Sequence, residues 1–203
     1  MKSRLQGLAR SVAGGIKKHF VDYDQKNRRL RFSHHVISAA ASVAAFKVNG
    51  VKKVATNFFG DRFELRIEHQ NGISITASII PGSISVNGDL ATIRVLLPGG
   101  IQVAHRSLVI SLLARVFDRI FKISSDAVNG IDGCSLEGDE FQYQRRLDSI
   151  QSLATLAHKY GADLANAIIP MRMNENWLEL ELAKIINESI HLNPDLFTIA
   201  EKE

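Results

Sequence analysis

The sequence predicts an α+β fold in which an antiparallel β-meander packs one apolar face on long amphipathic helices. Between residues 51 and 104, apolar and polar side chains alternate, and a turn signal interrupts the alternation about every ten residues. Between residues 105 and 122, apolar side chains instead recur at the three- and four-residue spacing of a helix. Because the apolar face of such a sheet must be covered, we expect the helix over 105–122 to cover it.

The composition is that of a folded protein. The chain has 203 residues, of which 45% are apolar and 23% are charged, and this excludes a disordered chain. No apolar run approaches the ~18 residues of a membrane-spanning helix. A single cysteine, Cys134, excludes an internal disulfide and a multi-cysteine zinc site. We expect a basic amphipathic N-terminal segment over 1–29 and a single α+β domain over 30–203.

The net charge of +4 is distributed unevenly along the chain. Residues 1–60 carry twelve Lys and Arg against two acidic residues, whereas residues 131–203 carry six against thirteen. Such polarity attracts the basic end to phosphate-bearing surfaces. The alternative is that the two ends neutralise one another, either within the fold or across a homo-oligomer.

The first twenty residues combine an apolar stripe with basic flanks. Leu5, Leu8, Val12 and Ile16 recur near helical spacing, and no acidic residue occurs among residues 2–20. This composition is typical of a helix lying on an anionic membrane, of an organelle transit segment, or of a first helix packed on the domain. No secretory apolar core follows, so we expect an intracellular protein, soluble or peripherally membrane-associated. The candidate membrane or anion contacts are the five basic residues of this segment and two arginines of the helix over 105–122. They are Lys2, Arg4, Arg10, Lys17, Lys18, Arg115 and Arg119.

A short strand and a helix precede the meander. The segment 22–29 is polar and is expected to be a link, and residues 30–32 are expected to form a short strand. Ser33 is a plausible N-cap for an Ala-rich helix over 34–47, which Asn49-Gly50 would end.

The meander and the helix that follows it present apolar side chains toward each other. Turn signals occur at Asn71-Gly72, Pro81-Gly82, Asn87-Gly88 and Pro98-Gly99-Gly100. The inward positions predict an apolar ligand groove lined by Ile73, Ile75, Ile79, Val86, Ile93, Val95, Leu97, Leu112, Val116 and Ile120.

The C-terminal region 139–190 has mixed helical and strand patterns. Helical spacing starts at Tyr143 and runs to Gly161, and it continues toward Ile168 before Pro170. Alternation between residues 171 and 182 then predicts a hairpin, and a helix capped by Asn176 is the alternative.

No motif indicates catalysis. The chain has no phosphate-binding Gly-Lys loop, dinucleotide fingerprint, nucleophile elbow or His-x-x-x-His pair. We therefore expect no catalytic residue, no metal site, no cofactor and no enzyme activity. The basic segment 26–31 has few aromatic neighbours for stacking, so nucleic acid is not an expected partner.

The strands Ile73–Ile79 and Ile93–Leu97, the short strand Ile101–Val103 and the helix over 105–122 together resemble a module of the tubular lipid-binding superfamily. This superfamily includes the bactericidal/permeability-increasing-like proteins. The resemblance covers residues 34–122 and is one of pattern. It implies a long curved sheet wrapped round a helix, with a groove for acyl chains and no catalysis.

These observations predict a non-catalytic protein that binds a lipid or another apolar small molecule and associates with an anionic membrane surface. Two alternatives stay open. One is a structural or scaffolding subunit of a homo- or hetero-oligomer, in which the basic first third meets an acidic last third. The other is a weak nucleic-acid-binding protein.

Overall fold

A computed structural model describes residues 20–46, 49–70, 72–102, 133–175 and 177–197. Within these ranges the chain forms eleven strands joined in one antiparallel sheet, together with two helices. The strands are Val21–Asp24 (β1), Arg29–Ser33 (β2), Val51–Phe59 (β3), Arg62–His69 (β4), Ser74–Asn87 (β5), Leu90–Leu96 (β6), Ile101–Gln102 (β7), Cys134–Glu137 (β8), Glu140–Arg146 (β9), Ile168–Asn174 (β10) and Trp177–Glu181 (β11). The helices are His34–Phe46 (α1) and Gln151–Tyr160 (α2), with 3-10 turns at Leu147–Ser149 and Pro194–Phe197.

The predicted α+β class is wrong. The described chain is mostly antiparallel sheet with two short helices, not a meander packed on long amphipathic helices. Strands extend far beyond the expected meander, because both terminal regions also contribute hairpins to the sheet. The expected helix over 105–122 lies outside the described residues, and so do Leu112, Arg115, Val116, Arg119 and Ile120.

Strand β5 is shared by two parts of the sheet. Its first half pairs with β4 and β7, and its second half pairs with β6 and β10. Pro81-Gly82, which we expected to form a turn, lies inside this continuous strand, where the register shifts between Pro81 and Ser83. A Cβ at position 82 would lie 2.8 Å from the carbonyl oxygen of Arg94. The proline and the glycine therefore mark a bulge with a close backbone approach.

The two ends of the described chain meet in one part of the sheet. The strand order is β1-β2-β11-β10-β5-β6-β9-β8, with β3 and β4 joined to the first half of β5. Strand β1 pairs with β2, so residues 21–24 of the expected N-terminal segment belong to the sheet. The expected polar link over 22–29 is therefore largely a strand and its hairpin turn.

Helix α1 confirms the expected helix over 34–47 and packs on the edge strand β3. Its side chains Ile37, Ala40 and Ala41 are fully buried. The hydroxyl oxygens of Ser38 and Thr56, on α1 and β3, lie 2.5 Å apart. In the part of the chain that the structure describes, this short helix covers β3.

In the C-terminal region the predicted hairpin is confirmed, and the predicted start of the helix is wrong. Residues 143–146, expected to begin a helix, belong to β9, and α2 begins only at Gln151. The helix ends at Gly161, whose φ of 62° is the left-handed cap that glycine favours. Strands β10 and β11 pair antiparallel, which confirms the hairpin and excludes the alternative helix.

Candidate ligand face and ion-pair network

The structure places the described groove positions on the inner, apolar face of the sheet. Six of them are at most 3% exposed and the seventh is partly buried, and all seven join one core cluster. They are Ile73, Ile75, Ile79, Val86, Ile93, Val95 and Leu97. The bend in β5 therefore brings residues of both parts of the sheet onto one apolar surface.

Strands β4 and β9 extend this face with residues that were not among the predicted positions. Tyr143 lies opposite Ile93 and Phe141 lies opposite Val95, and both aromatic side chains are fully buried. The helical spacing of Tyr143, Leu147 and Ile150 predicted a helix from Tyr143 onward, and Phe141 lay before that predicted helix. The alternation of residues 140–146 was the signal that identifies the strand.

The Arg145 side chain on β9 places a positive charge at one end of the inner face. Arg145 lies opposite the buried Ala91, and its Nε donates to the hydroxyl of Tyr143 at 2.5 Å. Its guanidinium carbon is 4.7 Å from the centre of the Tyr143 ring, within cation–π distance. The inner face therefore combines an apolar surface with an arginine held by an aromatic residue.

The thiol of Cys134 lies on the neighbouring strand, β8, opposite Tyr143. Burial raises the pKa of this thiol to about 11, and the positive charge of Arg145 acts in the opposite direction. The thiol is therefore protonated at neutral pH, which disfavours nucleophilic chemistry.

The opposite face of β1, β2 and β11 carries a network of ion pairs. The Glu179 side chain, only 5% exposed, lies 3.0 Å from Arg31 Nε and 3.2 Å from Arg29 Nη1. Arg31 Nη2 is also 2.9 Å from Asp24 Oδ2. The pKa of Asp24 is lowered, first by the Asn27 side chain that donates to its carboxylate at 2.7 Å, and also by Arg31. These donors favour the carboxylate form of Asp24.

This network pairs arginines of the basic first third with acidic residues of the last third. Arg28 lies 3.5 Å from Glu188, and Arg29 and Arg31 share Glu179. At these positions the two ends of the chain neutralise one another within one molecule. Carboxylates thus engage the arginines of the segment 26–31, and this weighs against their contact with nucleic-acid phosphates.

Among the described residues, no group of three or more His, Cys, Asp or Glu is placed to hold a metal ion. No helix among them has the length and apolar character needed to cross a membrane.

Comparison of the chain with models of known protein families, with curated proteins and with solved structures finds no match. The resemblance to the tubular lipid-binding superfamily therefore stays a prediction.

Proposed function

We propose that this protein binds an apolar, lipid-like molecule against the inner face of its sheet and acts at an anionic membrane surface. The observation that carries the proposal is the common apolar face of the two sheet halves joined by β5. Apolar ligands bind in concave sites lined by such side chains, with a few polar groups that set orientation. Arg145 and Tyr143 supply polar groups of this kind at one end of the face.

The competing interpretation is that this face belongs to a core filled by the protein's own side chains. Ala77 distinguishes the two, because it lies on the inner face opposite Leu65 and Ile101 and is 2% exposed. In a filled core, replacing this alanine with leucine overpacks the site and costs about 1–3 kcal/mol of stability. In a ligand site, the added side chain displaces the ligand and the lipid-free protein keeps its stability.

The experiment compares wild type with Ala77→Leu and with the control Ser78→Leu. Ser78 is the next residue on β5 and lies on the opposite face, paired with Glu64. Native mass spectrometry after gentle purification measures bound lipid, titration with a fluorescent fatty acid measures uptake, and urea unfolding of the lipid-free protein measures stability.

We expect lipid on the wild type and on Ser78→Leu, and reduced uptake with an unchanged unfolding midpoint for Ala77→Leu. Two results contradict the proposal. One is a wild type that neither retains lipid nor takes up the fatty acid. The other is an Ala77→Leu variant that loses stability while its uptake equals that of wild type.

The membrane half of the proposal is supported by the basic, acid-free composition of residues 2–20. An intracellular location with peripheral membrane attachment belongs to the same proposal. Clusters of Lys and Arg bind anionic lipid surfaces with about 1 kcal/mol per residue, and salt weakens this attraction.

A further inference from the structure

We infer that Phe46, Lys52 and Lys53 form a second contact with the anionic membrane surface. We call these three residues the α1–β3 corner, because they lie at the end of α1 and the start of β3. The inference rests on the membrane half of the proposed function, and it places a contact within the described chain rather than in residues 2–20. The partner is the surface of a bilayer that contains anionic lipid.

Two contacts align α1 with β3 and place the end of the helix beside the start of the strand. The His34 ring lies 5.5 Å from the Phe58 ring, and Ser38 contacts Thr56, so helix and strand run in opposite directions. A helix rises about 1.5 Å per residue and a strand about 3.3 Å, so eight helical residues match four strand residues. Phe46 lies eight residues after Ser38 on the helix, and Lys52 lies four residues before Thr56 on the strand. Phe46 and Lys52 are therefore at the same level.

Asn49 and Gly50, which precede β3, are held against β4 and the residue after it by hydrogen bonds. Gln70 donates its backbone N–H to the Gly50 carbonyl at 2.7 Å, and His69 Nε2 lies 3.1 Å from the Asn49 carbonyl. Gly50 has a φ of +84°, and a Cβ there would clash with the His69 ring. Position 50 therefore requires glycine, and these contacts hold the start of β3, where both corner lysines lie.

The corner combines an exposed aromatic side chain with two exposed lysines. Phe46 is 57% exposed and both lysines are exposed. Neither lysine forms an ion pair with a described residue, and Glu68, opposite Lys53 in the register, pairs with Arg66 at 3.6 Å. Residues 46–53 contain three lysines and no acidic residue. Basic residues attract anionic headgroups, and an exposed phenylalanine gains from entering the apolar boundary beneath them.

The character of the corner favours a membrane over a nucleic acid. On β4, Arg62, Glu64, Arg66 and Glu68 share the outer face of the sheet with Lys53. The charges along this face alternate in sign and form no continuous basic track for a phosphate backbone. The single exposed phenylalanine also suits insertion into lipid better than stacking on successive bases.

The experiment measures sedimentation of the full chain with two kinds of vesicles, phosphatidylcholine alone and phosphatidylcholine with phosphatidylserine. The variants are the double change Lys52→Gln with Lys53→Gln, and Phe46→Ser. Their matched controls are Lys159→Gln with Lys184→Gln, two exposed lysines elsewhere, and Phe59→Ser, which removes a phenylalanine that is 53% exposed at the other end of β3. Because all these side chains are exposed, unfolding midpoints should stay near wild type, and urea unfolding checks this.

Wild type should sediment with the vesicles that contain phosphatidylserine and should stay in the supernatant when the vesicles are phosphatidylcholine alone. Loss of each corner lysine should lower the partition coefficient for the phosphatidylserine vesicles about fivefold, which is equivalent to about 1 kcal/mol of binding free energy. Loss of Phe46 should weaken it by a similar factor, since about half of a phenylalanine's burial energy is removed, and the controls should bind like wild type.

Three results overturn the inference, and they are distinguishable. If the corner variants bind the vesicles like wild type, the corner is not a contact, and membrane association through residues 2–20 still stands. If wild type does not bind phosphatidylserine vesicles, the membrane half of the proposed function fails with it, whereas fatty-acid uptake tests the ligand half independently. If the lysine changes abolish binding of a single-stranded oligonucleotide and spare vesicle binding, the corner serves nucleic acid.

Discussion

Glu179 and Arg31 are opposite each other on β11 and β2, and the Arg31 Nε lies 3.0 Å from the Glu179 Oε1. The two residues are far apart in the sequence, and their pairing joins the two ends of the described chain. A buried carboxylate without a partner is costly, and side chains along a strand alternate between its two faces. A one-residue slip of β11 would turn Glu179 toward the apolar core. This ion pair therefore favours one register of β2 against β11.

Replacing Glu179 with glutamine should destabilise the fold. The change removes the charge that Arg29 and Arg31 share and leaves two partly buried guanidinium groups without their common carboxylate. Because both arginines keep some contact with water, we expect a loss of about 1–3 kcal/mol, below the cost of breaking a fully buried pair. Urea unfolding measures the loss.

Glu181→Gln is the matched control for that change. Glu181 is on the same strand and face, but it is more exposed, and its contacts with Arg29 and Arg172 measure 3.9 Å and 3.3 Å. We expect a change below about 1 kcal/mol for this variant. Equal losses for the two variants would show that burial of Glu179 adds nothing to its ion pairs.

The stability of the β1–β2 hairpin should depend on pH through Asp24. The Asn27 side chain is the largest cause of the lowered pKa of Asp24, ahead of Arg31. Because the folded state favours the carboxylate, this contribution is complete above the ordinary pKa of 3.8 and is lost as the pH falls through the lower folded pKa. Asn27→Ala should therefore melt below wild type at neutral pH, and the two melting temperatures should converge in acid.

The background variant Asp24→Asn provides the control, since its side chain does not titrate. In that background Asn27→Ala should shift the melting temperature by the same amount at every pH. With Asp24 present, the melting temperatures of Asn27→Ala and wild type could instead differ by the same amount from neutral pH into acid. That result would contradict a role for Asp24 ionisation.

The meander could be predicted because its signals are local. Alternation of Phe63, Leu65 and Ile67, followed by glycine-containing turns, depends only on neighbouring residues, and the corresponding strands form. Helix α1 was predictable for the same reason, since its cap position and its stop at Asn49-Gly50 flank it in the sequence. What these signals could not supply was the covering partner of each apolar face.

Strand β1 was missed because its stabilisation is long-range. Residues 22–29 were interpreted as a polar link, since Asp22 and Asp24 gave no apolar alternation. Their charges are satisfied by Arg31, which itself depends on a strand from the other end of the chain. Pro81 was interpreted as a turn residue for a related reason. A bulge inside a long strand is defined by the partner strand, and one sequence does not reveal that partner.

The groove prediction stays a prediction, because alternation indicates which side of a strand is buried and does not by itself identify a ligand. Alternation identified the buried side of β5 and β6, where Val86, Ile93 and Val95 lie. A filled core and a ligand site require the same periodicity, so the pattern cannot separate them. The polar end of this face, at Arg145 and Tyr143, escaped notice because β9 was taken for a helix.

Cys134 should react slowly with alkylating reagents. Burial raises its pKa to about 11, so at pH 8 only about one thiol in a thousand is ionised, and only the thiolate attacks. An unperturbed thiol with the ordinary value of 9.0 reacts about a hundredfold faster at that pH, since about one in ten is ionised. The rate of iodoacetamide alkylation, followed by mass spectrometry of the intact protein, measures the difference between native and urea-unfolded chain.

Arg145→Gln separates the contribution of charge from that of burial. The Arg145 charge lowers the pKa of the Cys134 thiol, so its removal should raise that pKa further and slow alkylation of the native protein. Arg146→Gln, the next residue on β9, is the control, because Arg146 is exposed and pairs with Asp148. Faster alkylation of Arg145→Gln at an unchanged unfolding midpoint would mean that the arginine shields the thiol rather than favouring its thiolate. Native wild type that alkylates as fast as the unfolded chain would refute the assigned burial of Cys134 itself.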